Sequence, residues 1–241
     1  MSQPIIISIE GNIGAGKSTI LEELTARMGE SSYITFVKEP VDIWETVRDE
    51  DGKTILEKFY EDSKKYAFQF QVMALTTRLA LIRNAVRTNP DCKVIICERS
   101  VDADKQIFAK MLHADGIISY LDYKVYCLLA TEHSQDFKVD GYVYINADAD
   151  VCHQRVTKRS RMGESQIELE YLQKCKKYHD DWLENYQDWD CNKDKIQTRV
   201  LNLNTNADVS YDKDDESDVG NQWINDIEKF INDIILAKQQ N

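Results

Sequence analysis

The stretch that decides the fold is Gly11-Asn12-Ile13-Gly14-Ala15-Gly16-Lys17-Ser18-Thr19. It satisfies the pattern GxxxxGK[ST], directly after the apolar, β-branched run of residues 5–9 and directly before a segment of helical period. In such a loop the backbone N–H groups turn inward around phosphates, Lys17 reaches the β and γ oxygens, and Ser18 binds Mg²⁺ at the helix N-terminus. The loop therefore predicts binding of ATP or GTP, and an ordinary glycine turn that feeds a helix is the alternative.

Outward from this loop, short apolar runs alternate with longer segments of helical period. Strands are predicted at residues 4–8, 33–38, 93–97, 141–146 and 199–203. Helices are predicted at residues 17–28, 54–62, 64–88, 102–112, 117–132, 149–158, 167–188 and 221–237. The alternation is typical of βαβ units and of a parallel sheet buried on both faces. We expect an α/β, P-loop NTPase-type fold, with a five-stranded parallel sheet flanked by helices and a helical lid at about residues 155–166.

The length and composition indicate one folded unit. The chain has 241 residues, 42% of them hydrophobic, without an internal repeat or a Gly/Ser-rich linker. We therefore expect a single domain over residues 1–241. The one compositional break is an acidic stretch at about residues 204–222, which is predicted to be an exposed loop before the last helix. Contact with the base or ribose of a bound nucleotide is the alternative role for this loop.

Charge and cysteine usage exclude several classes of protein. Thirty basic against 42 acidic residues give a net charge of −12, which argues against nucleic acid or anionic lipid as the main partner. No apolar run approaches the roughly 20 residues of a membrane span. The N-terminus shows no export or import leader, and the six cysteines form no CxxC pair. We expect a cytoplasmic protein with no zinc site and no membrane partner.

The third predicted strand ends in Glu98-Arg99-Ser100. The carboxyl ends of parallel strands form the edge at which open α/β sheets bind ligands, so Glu98 is a candidate partner of Mg²⁺, directly or through water. A strand-end ion pair facing solvent is the alternative. No NKxD-type guanine-reading motif occurs in the chain, which favours a transfer enzyme over a GTPase switch.

The second predicted strand ends at the same edge, in Glu39-Pro40-Val41-Asp42-Ile43-Trp44. A neutral hydroxyl that accepts a phosphoryl group needs a carboxylate within hydrogen-bonding reach, and Glu39 can supply it. Pro40 bends the chain so that this carboxylate can face the cleft, and Trp44 supplies an aromatic wall. A simple turn and a core tryptophan are the alternatives.

Two further segments carry polar groups that suggest a site. On the long helix, Gln71, Ala74 and Arg78 recur at three and four residues, so they share a face on which the amide could read a nucleobase edge and Phe70 could stack. An exposed polar stripe is the alternative. The densest basic cluster comprises Arg155, Lys158, Arg159 and Arg161. It indicates a lid that closes over a transferring phosphoryl group, or else a solvated basic helix end.

Taken together, five motifs at compatible spacing resemble the deoxyribonucleoside kinase family, which includes cellular and viral relatives of deoxycytidine, deoxyguanosine and mitochondrial thymidine kinases. The motifs are GNIGAGKST, EPVDIW, Tyr60 with YAFQFQVMALTTR, ERSVDADKQIFA and RVTKRSRMGESQIELEYL, and the similarity runs from about residue 5 to 204. The resemblance implies transfer of the γ-phosphoryl of Mg-ATP to the 5′-hydroxyl of a deoxynucleoside, by a homodimer built through long helices.

The resemblance also implies roles for individual residues. Glu39 takes the place of the general base with Arg99 beside it, and Ser18 and Glu98 match the magnesium contacts. Tyr60 and Glu164 match the pair that holds the deoxyribose 3′-hydroxyl, and the tyrosine also disfavours a ribose. Gln71 matches the base-reading amide, in a pocket lined by Trp44 and Phe70 with Phe108 stacking nearby. Arg155, Arg159 and Arg161 match the lid arginines.

Substrate choice is located by the resemblance at Ala74, Arg78 and Asp104. The arginine and aspartate resemble the deoxycytidine and purine deoxynucleoside enzymes, whereas thymidine-preferring members carry apolar residues. A charged pair can hydrogen-bond an exocyclic amino group or a purine edge. We therefore expect deoxyadenosine, deoxyguanosine or deoxycytidine to be preferred over thymidine. One departure from the family pattern is Asp102, which is expected to add negative charge near the cleft entrance.

Two other functions compete with this one. A nucleoside monophosphate kinase of the thymidylate kinase type has a charged acceptor, and it would need cationic groups that EPVDIW lacks. A non-catalytic nucleotide-binding module would use Lys17 and Ser18 without an acceptor pocket, which Glu39, Gln71 and the lid arginines argue against.

Overall fold

The computed structural model describes residues 3–29, 31, 33–134, 137–159, 166–184, 199–212, 214–215 and 217–239. Within these ranges the five strands are β1 Ile5–Gly11, β2 Ile34–Val37, β3 Val94–Glu98, β4 Gly141–Asn146 and β5 Arg199–Asn204. All strand pairs are parallel, in the order β2-β3-β1-β4-β5. The predicted five-stranded parallel sheet is confirmed.

Helices cover both faces of the sheet. They are α1 Lys17–Met28, α2 Val41–Trp44, α3 Ile55–Glu61, α4 Ser63–Thr88, α5 Val101–Ala103, a π-helix Asp104–Ala109, α6 Lys110–Ala114, α7 Tyr120–Ser134, α8 Ala149–Arg159, α9 Leu169–Leu183 and α10 Val219–Gln239. On one face α1 and α10 pack against Ile7 and Ile9 of the central strand, and on the other α4 packs against Ile6. Parallel strands buried in this way explain the continuous apolar runs that the sequence shows.

Two helix boundaries differ from the predicted ones because local side chains cap the backbone. Helix α7 begins at Tyr120 instead of residue 117, since the Ser119 hydroxyl accepts from the Asp122 N–H at 3.2 Å. Helix α10 begins at Val219 instead of residue 221, since Asp218 accepts from the Gly220 N–H at 2.7 Å. Between β5 and α10 the described residues 205–212, 214–215 and 217–218 belong to the acidic loop, whose ends lie inside the predicted 204–222.

The segment after β3 is not the uninterrupted α-helix that was predicted for residues 102–112. A π-helix at Asp104–Ala109 lies between the short helices α5 and α6. Apolar periodicity does not distinguish i→i+5 from i→i+4 hydrogen bonding, so the π-helix could not be predicted from it. The π-helix matters for the site because it carries both Asp104 and Phe108.

Other predictions fall partly or wholly outside the described residues. Helix α9 ends at Leu183 in the structure, and residues 185–198 are not described. The proposed lid at residues 155–166 begins within helix α8, but Arg161 and Glu164 lie outside the described residues. Within the described ranges, none of the helices combines the length and the apolar character that crossing a membrane requires.

Candidate active site

The phosphate loop connects β1 to α1 and adopts a conformation that glycine makes possible. Gly16 has a φ of 103° immediately before α1, in the region that side chains disfavour. At Gly14, which has a φ of 82°, an added Cβ would lie 2.5 Å from the Cys152 carbonyl oxygen. Helix α8 therefore approaches the loop so closely that only glycine fits at this position.

Lys17 and Asn12 hold the loop in its present shape. The Lys17 ammonium donates to the Asn12 carbonyl oxygen at 2.9 Å, and the Asn12 amide donates to the Leu172 carbonyl oxygen at 2.9 Å. Burial lowers the pKa of Lys17 to about 8, with the positive charge of Arg99 adding to the effect. A bound triphosphate would raise the pKa of Lys17 again, because its negative charge would stabilise the protonated ammonium.

Ser18 and Glu98 meet across the loop. The Ser18 hydroxyl donates to a Glu98 carboxylate oxygen at 2.6 Å. One residue comes from the start of α1 and the other from the end of β3, so the fold joins positions that are 80 residues apart. A hydroxyl and a carboxylate are hard oxygen ligands of the kind that Mg²⁺ prefers, together with phosphate oxygens and water. The pair therefore fits a magnesium ion bound to a triphosphate.

Glu39 lies between two arginines at the end of β2. Its Oε1 accepts from Arg78 Nη2 at 3.1 Å and from Arg99 Nε at 3.2 Å. Burial would raise the pKa of Glu39, but the positive charges of Arg99, Arg78 and Lys17 outweigh it and lower the pKa to about 2. The side chain is thus a carboxylate at neutral pH, able to accept a hydrogen bond from a substrate hydroxyl.

Arg78 is itself held by a second carboxylate. Its Nε donates to Asp104 Oδ2 at 2.9 Å and its Nη2 donates to Asp104 Oδ1 at 3.3 Å, a bidentate arrangement. Arg78 as a whole is 2% exposed. Burial alone would lower the pKa of Arg78, but Asp104 and Glu39 raise it, so the arginine stays charged. Helix α4 and the π-helix are therefore connected through Arg78 and Asp104, two positions at which the family resemblance predicts that substrate choice is made.

Arg99 connects Glu39 to the phosphate loop. Its Nη2 donates to the Gly11 carbonyl oxygen at 3.0 Å, and its guanidinium lies 4.8 Å from the centre of the Phe108 ring. Arg99 has a φ of 65°, which is uncommon for a residue with a side chain and costs on the order of 1 kcal/mol or more. The strained backbone directs the side chain back over the end of β1.

These groups line one cleft of about 360 Å³. The predicted site residues that line it are Ile13, Gly14, Gly16, Lys17, Ser18, Thr19, Glu39, Trp44, Tyr60, Phe70, Gln71, Ala74, Arg78, Glu98, Arg99, Asp104, Phe108, Arg155 and Arg159. Three predicted loop residues, Gly11, Asn12 and Ala15, do not line the cleft, but their carbonyl oxygens accept hydrogen bonds from Arg99, Lys17 and Arg155, respectively. The cleft brings the predicted donor and acceptor sites together.

Aromatic rings form one wall of the cleft. Trp44 packs edge-on against Phe70 at 5.3 Å, and its indole N–H donates to the Thr77 hydroxyl at 3.0 Å. The Phe59 ring also stacks on Phe70, with 5.1 Å between the ring centres. The neighbouring Gln71 is 2% exposed, and its Oε1 has no hydrogen-bond partner within the described part of the chain. An aromatic wall beside an unpaired amide oxygen suits an aromatic base.

Sequence reasoning did not identify four residues that line the cleft: Val41, Leu56, Phe59 and Tyr171. Tyr171 lies on α9, after the basic cluster in the sequence, and its ring packs edge-on against that of Tyr60 with 6.5 Å between the ring centres. It lay within the motif RVTKRSRMGESQIELEYL, which was the one available signal. Val41 likewise lay within the motif EPVDIW, whereas Leu56 and Phe59 resemble ordinary core residues, since they are apolar positions on the short helix α3.

Arg155 has a supporting role in addition to the predicted one. Its guanidinium donates to the carbonyl oxygens of Ala15 at 3.4 Å, Thr205 at 3.0 Å and Ala207 at 2.9 Å. It therefore joins α8 to the phosphate loop and to the loop after β5 while it lines the cleft. The sequence predicted the cationic cluster but could not show that backbone carbonyls of distant segments bind one member of it.

The expectation for Asp102 was wrong. Its side chain does not line the cleft but accepts from the Tyr142 hydroxyl at 2.6 Å. Burial raises the pKa of Asp102, with the Tyr142 hydrogen bond opposing the effect. Asp102 therefore adds no negative charge at the cleft entrance, because the first turn after β3 directs its side chain toward β4.

Comparisons with known proteins identify the family. The sequence model of the deoxynucleoside kinase family matches residues 7–232 of this chain. The chain is 32% identical to a probable deoxycytidine kinase of fowlpox virus, over 95% of this chain and 89% of the relative. It is 31% identical to human deoxycytidine kinase over 84% of each chain, and 29% identical to the mitochondrial deoxyguanosine kinase of Xenopus laevis over 93% and 89%.

The matched relatives are kinases that act on nucleosides, which favours the first of the three functions predicted from the sequence over a nucleoside monophosphate kinase or a non-catalytic module. The family implies ATP as the phosphate donor. The chain belongs to the deoxynucleoside kinase family and is a phosphotransferase that acts on deoxynucleosides.

Proposed function

We propose that the enzyme transfers the γ-phosphoryl group of Mg-ATP in line to the 5′-hydroxyl of a deoxynucleoside, with Glu39 accepting the hydroxyl proton. The observation that carries this proposal is that Glu39 lines the same cleft as Lys17 and Ser18. A carboxylate with a pKa of about 2 is a weak base. In a loose phosphoryl-transfer transition state the proton leaves late, so Glu39 acts mainly by orienting the hydroxyl and then takes its proton.

The cations of the cleft would stabilise the negative charge of the transferring group. Lys17 lies in the phosphate loop, and Arg99 lies beside Glu39 at 3.2 Å. Arg159 lines the cleft from the end of α8, and Arg161, two residues further along, completes the proposed lid. Preorganised positive groups lower the barrier because they need no rearrangement as the charge spreads over the phosphoryl oxygens.

Magnesium would be held by Ser18 and Glu98, together with the phosphates. Within the described residues there is no cluster of three or more acidic, histidine or cysteine side chains that could hold a metal on its own. Mg²⁺ commonly uses one or two protein oxygens and completes its shell with phosphate oxygens and water. The hydrogen-bonded pair of Ser18 and Glu98 is suited to this arrangement.

The base pocket favours deoxynucleosides with an exocyclic amino group or a purine edge. Arg78 uses its Nε and Nη2 on Asp104, and its Nη1 donates to the Glu98 carbonyl oxygen at 3.2 Å. The Asp104 oxygens keep further lone pairs that an amino group could use. Gln71 would pair with another part of the base edge, and Tyr60 with Glu164 would hold the 3′-hydroxyl. We therefore propose deoxyadenosine, deoxyguanosine or deoxycytidine as the preferred substrate over thymidine.

We also propose that the enzyme is a homodimer that uses helix α7. Leu121, Val125 and Leu128 recur at four and three residues on this helix, and they are 75%, 47% and 72% exposed. A helical stripe of exposed apolar side chains is typical of a surface that another subunit covers. Light scattering would give twice the mass of 28.0 kDa for the wild type and a monomer for Leu128→Glu.

We further propose that the enzyme has no nucleic acid partner, folds as a single domain and is cytoplasmic. The net charge of −12 supports the absence of a nucleic acid partner. A single domain would unfold in one cooperative calorimetric transition. Microscopy of the tagged full chain would test a cytoplasmic location.

The decisive experiment offers the four deoxynucleosides and their 5′-monophosphates separately, each with Mg-ATP. Mass spectrometry of the products should show a 5′-monophosphate from deoxyadenosine, deoxyguanosine or deoxycytidine, with a lower kcat/KM for thymidine. Production of diphosphates from the monophosphates alone would contradict the proposal. ATP hydrolysis without any acceptor product would contradict it as well.

A further inference from the structure

A buried carboxylate outside the proposed machinery lies directly behind it. Glu10 is the penultimate residue of β1, the central strand, and it is 0% exposed. Its Oε1 accepts from the Ser100 N–H at 2.8 Å and from the Ser8 hydroxyl at 2.7 Å. Burying an acid in the middle of a sheet is costly unless neighbours stabilise it, so its presence here needs an explanation.

Through the hydrogen bond from the Ser100 N–H, Glu10 contacts the backbone directly after Arg99. Arg99 has a φ of 65°, and its own N–H donates to the Ile9 carbonyl oxygen at 3.0 Å. Ser100 in turn caps α5, because its hydroxyl accepts from the Ala103 N–H at 3.2 Å. The Glu10 carboxylate thus fixes the peptide between a strained residue and the start of a helix.

Glu10 and Arg99 also interact through their charges. Burial raises the pKa of Glu10, and the positive charge of Arg99 is the largest opposing influence. Glu10 Oε2 and Arg99 Nη1 are buried and have no hydrogen-bond partner in the part of the chain that the structure describes. A buried guanidinium with an unpaired nitrogen benefits from a nearby negative charge, because the low dielectric of the interior strengthens the attraction.

We propose that Glu10 is a positioning residue for phosphoryl transfer: its carboxylate holds the Arg99–Ser100 peptide and balances the Arg99 guanidinium, so that Arg99 stays fixed between Glu39 and the phosphate loop. This inference rests on the role proposed above for Glu39 and Arg99. Glu10 does not line the cleft and acts only through Arg99. A small misplacement of such a group lowers kcat without weakening the base pocket.

The test is Glu10→Gln, which keeps the size and the acceptor oxygen but removes the charge. We expect kcat to fall about 10- to 100-fold while KM for the deoxynucleoside stays within about threefold. The matched control is Asp102→Asn, a partly buried acid that accepts from the Tyr142 hydroxyl away from the cleft. Its kcat should stay within about threefold of the wild type. Equal losses in the two variants would overturn the proposal, since neutralising a hydrogen-bonded acid away from Arg99 would then have the same effect.

A double-mutant cycle separates positioning from a general loss of structure. In an Arg99→Gln background, Glu10→Gln should lower kcat by less than about threefold, because the group through which it acts is gone. A full additional 10-fold loss in that background would refute the proposal. If Glu10→Gln does not fold, Glu10→Asp replaces it, and a kcat equal to that of the wild type in a less stable protein would refute the role.

A measurement that does not depend on catalytic activity distinguishes failure of this inference from failure of the proposed function. Hydrogen exchange of the Ser100 amide should be at least about 10-fold faster in Glu10→Gln than in the wild type, because the acceptor loses its charge. An unchanged exchange rate of the Ser100 amide would refute the positioning role of Glu10, even if the wild type phosphorylates deoxynucleosides. An active wild type whose Glu39→Gln variant keeps full kcat would instead refute the proposed function, whatever Ser100 shows.

Discussion

Replacement of Glu39 by glutamine tests the proposed chemistry most directly. The amide keeps the size of the side chain and an acceptor oxygen for Arg78 and Arg99, but it can neither accept the hydroxyl proton nor carry charge. We expect kcat to fall by roughly 10²- to 10⁴-fold, which is about 3–5 kcal/mol in the barrier. KM for the deoxynucleoside should change little, because the base pocket is untouched.

The structure also gives the size of the effect on stability. A pKa of about 2, in place of the ordinary 4.5, corresponds to roughly 3 kcal/mol of interaction between the charged form of Glu39 and its surroundings. Because the folded pKa is depressed, this stabilisation is present above about pH 4.5 and is lost as the pH falls toward 2. Glu39→Gln should therefore unfold at a Tm about 5–10 °C lower at pH 7, with the difference shrinking below pH 4.5.

The assay is steady-state kinetics at 25 °C with Mg-ATP and the best deoxynucleoside, on protein shown by circular dichroism to be folded. Asp104→Asn is the matched control, since it removes a negative charge from the same arginine and leaves the proposed base in place. It should mainly raise KM for the deoxynucleoside, with kcat within about 10-fold. A Glu39→Gln enzyme within threefold of the wild-type kcat would remove Glu39 from its role. Equal kcat losses in both variants would show that Arg78, not the base, was disturbed.

Three further predictions concern specificity, metal and pH. Arg78→Met combined with Asp104→Ala should shift the ratio of kcat/KM values toward thymidine by at least about 10-fold, and an unchanged ranking of the four deoxynucleosides would discredit the specificity argument. Ser18→Ala should raise the Mg²⁺ concentration for half-maximal rate by roughly 10-fold, since Glu98 alone would then remain; no change would place the metal elsewhere. Burial holds the pKa of His179 well below 6.5. As the pH falls below 6.5, the imidazole therefore becomes protonated in the unfolded chain but stays neutral in the folded chain, which favours unfolding. The wild type should therefore lose about 1 kcal/mol more free energy of unfolding than His179→Asn between pH 7 and 5.5 in denaturant titrations, and parallel losses would show that His179 is protonated in the folded state.

The predictions from sequence succeeded where the signal is local. The phosphate loop follows from the spacing of Gly11, Gly16 and Lys17, and the parallel sheet places the strand ends at Glu39 and Glu98 on one edge whatever the details of packing. These constraints brought the proposed base and the proposed metal partner into one cleft without any knowledge of side-chain contacts.

The features that were missed depend on contacts between distant segments. Leu56 and Phe59 resemble ordinary core residues, and only the fold shows that they line the cleft. The direction of Asp102 is set by the hydroxyl of Tyr142 on another strand. The role of Glu10 depends on the backbone of Ser100, 90 residues further along the chain. Periodicity identifies the face of an element but not the partner that the face meets.

The balance of charges at the acceptor end of the cleft explains why a nucleoside suits it better than a nucleotide. Arg78 and Arg99 share one oxygen of Glu39, and Arg78 is also paired with Asp104, so two buried cations and two carboxylates neutralise each other before any ligand arrives. An uncharged sugar hydroxyl can enter this arrangement without disturbing it. A 5′-monophosphate would add about two negative charges next to Glu39, whose carboxylate the same arginines already hold, and like charges in a buried site repel strongly. We therefore expect an uncharged acceptor to bind at this end of the cleft in preference to a 5′-monophosphate.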